Sequence, residues 1–394
     1  MKLAIIGTEK LPVPAVRGGA VETLIDMFIQ NNERHPLLEL DVYSIEDNKA
    51  ERTSRRFHHT RFIYINSANP LNPFYSFTNR LCLKCHVPFY KNIFLMRTIR
   101  ELKKRDYDWI VVENRPLFIK PLRRQLGSKV SIALHLHNDT LNPDRFYAQS
   151  VIHQCDRIVS VSHFINERVK AAADEHDVQK MRVLYNRIDT SLFQPSLDAG
   201  LSRRIRKQCA IPEDRQVVLY YGRLNVGKGV LKLIQSFDRA VQQNKALYLV
   251  LCGSFPNKKE YQRIHPALER LPSNAYCVLD YITHEELPAY LSVADMIVLP
   301  SLWNEAFGLT IAESMALGKA IITTNAGAIP ELIGNGSGLI IKADNQISDR
   351  LSAAIVRLAA HPNLRKVLGE KARRSAMLRF QQEGYLDELL EKLN

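Results

Sequence analysis

Thirteen short runs of β-branched and aliphatic residues, each followed by a stretch with helical spacing, recur along the whole 394-residue chain. Seven lie in the first half: "KLAIIGT", "LELDVYSI", "RFIYINS", "DWIVVEN", "VSIALHLHN", "RIVSVS" and "RVLYN". Six lie in the second: "VVLYYG", "LYLVLCG", "AYCVLD", "MIVLPS", "AIITT" and "GLIIKA". Such alternation is the pattern of parallel sheets with crossover helices. Between the two sets, "DTSLFQPSLDAGLSRR" breaks the periodicity with Pro, Gly and Ser, which places a boundary near Phe193. The expectation is an α/β chain of two doubly wound, Rossmann-like domains, residues 1–192 and 193–376, facing each other across a deep crevice. The segment 377–394 is expected to be a helix packing back on the first domain. The carboxyl ends of the strands in that crevice are the default ligand site.

At 46% hydrophobic and 24% charged, the composition is that of a soluble globular protein. No apolar run approaches the ~18–20 residues that cross a bilayer. "MKLAIIGTEKLPVP" passes from a short strand into charged and Pro-containing sequence, unlike a signal peptide, so a cytoplasmic location is expected. Six cysteines form no disulfide framework, in keeping with a reducing compartment. Cys82-Leu-Lys-Cys85-His86 has the spacing of a haem attachment site. Without an export signal, the favoured reading is a helix with two semi-buried thiols beside Leu81 and Leu83.

The formal charge of +13 is concentrated. Between Arg52 and Arg105 twelve Lys or Arg stand against one acid, Glu101, and nine aromatic residues are interleaved with them. That mixture suits an anionic membrane surface, a phosphorylated lipid or a polyanionic acceptor. Arg55, Arg56, Arg61, Arg80, Lys84, Lys91 and Arg97 are the candidate docking cations, with contact at the inner face of the membrane as the expectation. No nucleic-acid motif accompanies them.

"YYGRLNVGKGV", residues 220–230, nearly spells the phosphate loop Gly-x-x-x-x-Gly-Lys-[Ser/Thr], but Gly229 stands where the hydroxyl residue belongs. A triphosphatase needs that hydroxyl for Mg²⁺, and "LYLVLCG" supplies no second acidic ligand at its end. Arg223 just after a strand, with Lys228 at the mouth of a helix, instead gathers two cations and helix-terminal N–H groups around one point. That arrangement can hold a diphosphate without metal. Gly222, Gly227 and Gly229 let the backbone approach it closely.

"PSLWNEAFGLTIAESMALGKAIIT", residues 300–323, sets Glu305 and Glu313 eight positions apart around "AFGL". Strand "MIVLP" delivers the loop that holds Glu305, a helix opens near Phe307 or Gly308, and Glu313 lies inside it among Ile311, Ala312, Met315 and Ala316. Ionised carboxylates accept paired hydrogen bonds from the vicinal hydroxyls of a ribose or hexose.

Together, "YYGRLNVGKG" and "LPSLWNEAFGLTIAESMALGKAIITTNAGAIPELI" resemble the retaining glycosyltransferases of family 4, which share the GT-B fold. "RGGAVETLI", "LHLHND", "IVSVSHFINERV", "LYNRIDTSLFQP" and "LDYITHEELPAYLSVADMIVLPS" extend the resemblance over nearly the whole chain, and "GTEKLPVPAVRGGA" is similar to bacterial surface-glycan and spore-coat-associated members. The resemblance implies that Arg223 and Lys228 bind the donor diphosphate beside Gly222, and that Glu313 holds the ribose. Glu305 with the backbone of Ala306, Phe307, Gly308 and Leu309 would hold the transferred sugar. Gly18 and Gly19 would approach the phosphates, Gly253 and Ile282 would lie on the nucleotide side, and His137 matches the active-site histidine. His135 is read as core. The sequence departs from the pattern at Gly227, where Glu is common, and at Arg187, where Gly is common. "LRFQQEGYLDELL" also lacks the family's aromatic pairing.

That likeness implies a metal-independent transfer with retention, from a nucleoside-diphosphate sugar, with uridine diphosphate preferred, to a glycan or lipid-linked acceptor. The family expectation is front-face attack, a donor phosphate oxygen taking the acceptor's proton. Rivals are an epimerase or phosphorylase of the same fold, a two-carboxylate glycosidase, which would not need Arg223 and Lys228, and a non-catalytic polyanion- or membrane-binding protein. The last leaves the Glu305 to Glu313 segment unexplained. The sugar, the acceptor and the oligomeric state are not written in these residues.

Overall fold

A computed structural model of the chain describes residues 1–87, 89–195, 199–334 and 336–394. Its thirteen strands fall on the thirteen apolar runs. β1 (Lys2–Ile6), β2 (Glu39–Ile45), β3 (Thr60–Ile65), β4 (Trp109–Glu113), β5 (Ser131–Leu136), β6 (Arg157–Ser160) and β7 (Met181–Val183) form one sheet. β8 (Gln216–Tyr221), β9 (Leu247–Cys252), β10 (Tyr276–Leu279), β11 (Met296–Leu299), β12 (Ala320–Thr324) and β13 (Leu339–Ile341) form the other. Every neighbouring pair runs parallel.

The strand orders are β3-β2-β1-β4-β5-β6-β7 and β10-β9-β8-β11-β12-β13. Each is a doubly wound order that reverses direction once, between β1 and β4 in the first sheet and between β8 and β11 in the second. Chain segments leaving those central strands diverge to opposite faces, so the loops after them frame a cleft that ligands use. The central strands are apolar along their length because helices cover both faces: Leu3, Ala4, Ile5 and Ile6 of β1 and Val217, Val218 and Leu219 of β8 are fully buried.

Two compact units carry the sheets, Met1–Arg187 with Gln382–Asn394, and Ile188–Gln381. The first crossing precedes the 192/193 boundary read from the sequence because the Ile188 N–H donates to the Phe380 carbonyl at 2.8 Å and Ile188 bridges to Gln381, fixing both to the second unit. The second crossing comes after 376/377 because the Pro362–Arg379 helix continues through that point.

The helix Tyr385–Leu393 belongs to the first unit. It lays Tyr385, Leu386, Leu389 and Leu393 into the core cluster that holds Phe28 and Val42. Tyr385 stacks on Phe28 with ring centroids 4.2 Å apart, and the Asn31 side chain accepts its N–H at 2.9 Å. Arg187, which stands where the family pattern has Gly, pairs with Glu388 and lies over the Tyr385 ring, tying this helix down.

Candidate active site

The residues singled out in the second unit converge at the switch point of its sheet. β8 ends at Tyr221 and delivers Gly222 to Gly229, after which the helix Val230–Gln243 begins. β11 ends at Leu299 and delivers Pro300 to Gly308, after which the helix Leu309–Ala316 begins. The two loops hold each other: the Gly227 carbonyl accepts the N–H of Leu302 at 2.9 Å and that of Trp303 at 3.3 Å.

Gly229 answers the phosphate-loop question in steric terms. It has φ +77°, and a Cβ there would lie 1.8 Å from the Pro300 carbonyl oxygen. No serine or threonine fits, so the hydroxyl that a magnesium-dependent phosphate loop requires is excluded by the neighbouring loop.

Lys228 Nζ lies 2.6 Å from Glu305 Oε1, with both side chains mostly buried. Trp303 sits against this pair. Its indole N–H donates to Glu305 Oε1 at 3.1 Å, and its ring lies 5.4 Å from Lys228 Nζ and 5.5 Å from the Arg223 guanidinium. Arg223 is exposed, and its side chain makes no hydrogen bond or ion pair among the described residues. Both cations therefore lie against one aromatic ring, a geometry that helps to orient guanidinium and ammonium.

The same ring accounts for the departure at Gly227. A Cβ at that position would come within 2.6 Å of Trp303 Cε3 and 2.9 Å of Cζ3. The glutamate common in the family has no room here.

Glu313 is 7% exposed and occupied on both oxygens. Tyr221 donates to Oε2 at 3.2 Å, and His284 Nε2 lies 3.1 Å from Oε1. The hydrogen bond to Glu313 holds the His284 pKa above the ordinary imidazole value against the opposing effect of burial. Burial, then the charge of Glu313, pushes the Tyr221 phenol well above its usual range, so it remains a donor. A small cavity of about 30 Å³ brings Tyr221, Gly222, Lys228, Glu305, Gly308 and Thr310 to one point.

Of the remaining predicted residues, Phe307 is buried and meets Phe380 edge-on at 5.4 Å, an aromatic pairing within this unit. Ala306, Gly308 and Leu309 are half-buried at the start of the Leu309–Ala316 helix. Gly253, after β9, packs so closely that a Cβ would meet the Gly222 carbonyl at 2.0 Å. Ile282 is half-buried in the stretch after β10.

In the first unit the candidates again lie just past the central strands. Gly18 and Gly19, with φ +72° and +108°, end the loop after β1 and open the helix Ala20–Arg34. Beside them Thr8 donates to Glu22 at 2.5 Å. His137 comes directly after β5 and is buried, and its Nε2 lies 2.7 Å from Glu113 Oε2, at the end of β4. His135 Nδ1 lies 3.1 Å from the same carboxylate oxygen. His135 is thus in the core, as read from the sequence, but it is also polar and shares its partner with His137.

Burial alone would raise the Glu113 carboxyl, yet the two imidazoles outweigh it and hold it well below the usual range. Burial, then the adjacent His135 ring, lowers His137, which is therefore a neutral imidazole. A neutral ring whose Nε2–H is given to Glu113 carries a lone pair on Nδ1.

Glu113, His135 and His137 together present three possible metal-ligand atoms within 4.8 Å, as do His153, His176 and Asp177. In the first group the carboxylate is already bonded to both rings. In the second, Lys180 Nζ lies 2.5 Å from Asp177 Oδ1, an ammonium where a cation would go.

The docking candidates divide. Arg61 pairs with the buried Asp41, which also accepts from Tyr107, and Arg97 donates to the Asn66 carbonyl. These two are engaged in the fold. Arg55 and Arg56 are exposed, Arg56 over the Phe57 ring at 4.8 Å. Arg80 and Lys84 are exposed on the helix Asn72–Lys84, and Lys91 lies over the Tyr75 ring at 5.4 Å. Cys82 is half-buried on that helix and Cys85 exposed at its end.

Sequence reasoning did not single out Trp303, Tyr221, His284 or Glu113 as site residues. Glu113 carried a signal, a lone acid closing the apolar run "DWIVVEN". The other three depend on contacts between distant loops.

Two Rossmann-like units of parallel sheet, with a cationic pair, a half-buried Glu305 and a buried Glu313 at one switch point, define a glycosyltransferase of GT-B architecture. The chain belongs to the family described as Glycosyl transferases group 1, whose pattern matches residues 202–375. YtcC of Bacillus subtilis (strain 168), whose name places it among the glycosyltransferases, is 30% identical over 95% of this chain and 87% of its own length. Spore coat protein SA of the same strain is 25% identical over 99% of this chain and 98% of its own. The crystal structure of Anabaena Alr3699/HepE in complex with UDP and glucose matches the fold with a TM-score of 0.75 at 18% identity, covering 100% of this chain and 99% of that one.

Proposed function

We propose that this glycosyltransferase is a retaining, metal-independent enzyme that moves a hexosyl or N-acetylhexosaminyl group from a UDP-linked donor to a bacterial surface glycan or lipid-linked acceptor. The observation that carries this reading is the Lys228–Glu305 contact at 2.6 Å with Arg223 and Lys228 both against the Trp303 ring. Cleavage of the donor bond puts negative charge on the leaving diphosphate, and positive charge builds on the sugar. Fixed cations beside a fixed carboxylate match that separation. Arg223 and Lys228 receive the diphosphate, supplying the charge a metal would otherwise bring. Glu305 and the N–H groups opening the Leu309–Ala316 helix bond the sugar hydroxyls. Glu313 takes the ribose hydroxyls, sharing Oε1 with His284.

Gly18, Gly19 and His137 keep the roles that the resemblance gives them. Retention and the use of a donor phosphate oxygen as base rest on that resemblance. The UDP donor is favoured by the ligand in the HepE structure, and a surface acceptor by the likeness to spore coat protein SA. The exposed cations Arg55, Arg56, Arg80, Lys84 and Lys91, with their aromatic neighbours, support docking at an anionic membrane face.

The test is a thermal-shift panel with UDP, GDP, ADP, CMP and ATP, each with and without EDTA. A ligand at a hundred times its dissociation constant adds about 2.7 kcal/mol of stability. A shift with UDP that survives EDTA is expected; a shift with ATP alone, and only with Mg²⁺, overturns the reading.

A further inference from the structure

One concavity in the first unit has neither His137 nor Glu113 among its walls. It is a groove of about 510 Å³ framed by the helices Ile93–Leu102, Pro116–Leu126 and Ala148–Gln154. Roughly 300–1,000 Å³ is the size of pockets that enclose a small molecule. Its walls are apolar: Phe89, Leu95, Met96, Ile99, Leu117 and Val151. Phe89 and Met96 are each 45% exposed, although a soluble protein gains by covering such side chains.

The rim is cationic throughout. Lys91, Arg100, Lys103, Lys120 and Arg124 line the groove, and no acid does. Among the described residues, the side chains of Arg100, Lys120 and Arg124 make no hydrogen bond or ion pair, whereas Lys103 donates to Gln125 at 2.7 Å. A hydrocarbon-lined trough under unpaired cations is complementary to a molecule with an apolar tail and an anionic head.

One lip of the groove is joined to the helix Asn72–Lys84. Asn79 is buried and exchanges two hydrogen bonds with the Lys91 backbone, at 2.7 and 2.9 Å. That helix exposes Phe74, Phe77 and Leu81, a stripe at helical spacing, beside Arg80 and Lys84. An apolar stripe flanked by Lys and Arg is the form of a surface that lies in a bilayer interface.

We propose that this groove binds one hydrocarbon chain of an anionic membrane lipid, with the lipid phosphate held by Arg100, Lys120 and Arg124. The exposed stripe of the Asn72–Lys84 helix then rests on the membrane that supplies the lipid. The inference deepens the membrane-docking reading above and rests on it, but it makes a separate demand: the chain must enter the protein.

The experiment titrates the full chain with monododecyl phosphate by calorimetry, with inorganic phosphate and a neutral dodecyl glycoside as comparison probes. Vesicle co-sedimentation, with and without phosphatidylglycerol, is run in parallel. Two variants accompany it, Ser150→Trp, which fills the groove from an exposed helix position, and the pair Lys120→Glu with Arg124→Glu. Circular dichroism and nucleotide-induced thermal shifts confirm that each variant is folded.

Dodecyl phosphate is expected to bind, and each variant to weaken it at least about tenfold. Equal binding by wild type and Ser150→Trp overturns the groove, even if vesicles still adsorb through surface charge. Competition by inorganic phosphate as strong as by the alkyl phosphate shows a headgroup site only, and also overturns it. Failure of vesicle binding while dodecyl phosphate still binds in a Ser150-dependent way overturns the membrane source of the lipid.

Discussion

Gly227 can be tested without disturbing backbone geometry, because its φ lies outside the left-handed region and only space forbids a side chain. Gly227→Ala adds one methyl, whose carbon would sit 2.6, 2.9 and 3.2 Å from three atoms of the Trp303 ring. Contacts under 3.0 Å force a shift. Trp303 is 40% exposed, so the ring yields in part. Overpacking of this kind costs about 1–3 kcal/mol. The second unit has the size at which 1 kcal/mol moves the melting temperature by roughly 2–4 °C, so a fall of about 2–12 °C is expected.

The decisive comparison is a double-mutant cycle with Trp303→Ala. If the ring is the obstacle, Gly227→Ala costs less than about 0.5 kcal/mol once the ring is gone, because a glycine-to-alanine change at an ordinary φ is otherwise neutral or stabilising. The chain has two tryptophans, Trp109 and Trp303. In a Trp109→Phe background, fluorescence reports the Trp303 environment directly, and Gly227→Ala should shift it along with the nucleotide affinity. An equal loss of stability with and without Trp303 would refute the idea that this ring explains the missing side chain.

Single contacts elsewhere have consequences of their own. Arg223→Ala and Lys228→Ala should each lower turnover at least about a hundredfold, since one well-placed charge stabiliser is worth roughly 3–4 kcal/mol in the barrier; near-normal steady-state rates in both would remove the diphosphate assignment. Glu113→Gln should lower kcat about tenfold or more by releasing the tautomer of His137, with little change in donor KM; unchanged kcat alongside unaltered histidine NMR shifts would refute it. His284 has a raised pKa in the fold, so its pairing with Glu313 stabilises below about pH 6.5 and is lost as pH rises through the higher folded value. His284→Gln should flatten that decline in a pH series of denaturant melts, and parallel curves would count against the pairing. Asp26 changes stability in the same direction for a different reason: burial lifts its carboxyl to about 6 while the Ala15 N–H partly opposes this. The folded state then binds the proton more tightly, so stability falls as pH rises from about 4 to 6, by up to about 3 kcal/mol. Asp26→Asn should abolish the fall, and an unchanged pH profile would contradict it.

The strands were legible because a parallel sheet covered on both faces demands apolar runs, and the loops were legible because they lie directly after those runs at the switch points. Relations between loops far apart in number stayed hidden. Trp303 and Gly227 are 76 positions apart, and nothing local at either marks the other. Arg61 reads as one more free cation in a basic window until Asp41, on the adjacent strand, is seen beneath it. Phe62 reads as a docking aromatic, but it packs against the first unit's core. The groove was out of reach for the same reason, since its walls come from three helices and the loop before them.

The first unit is closed by residues that come after the second unit in the chain. A ribosome making this protein completes Ile188–Gln381 before it supplies Tyr385, Leu386, Leu389 and Leu393. Until then Phe28 lacks the ring that stacks on it, and the nascent first unit carries an open seam. Synthesis order and folding order are therefore reversed: the domain begun first is finished last, and its exposed seam is the surface a chaperone would meet during translation.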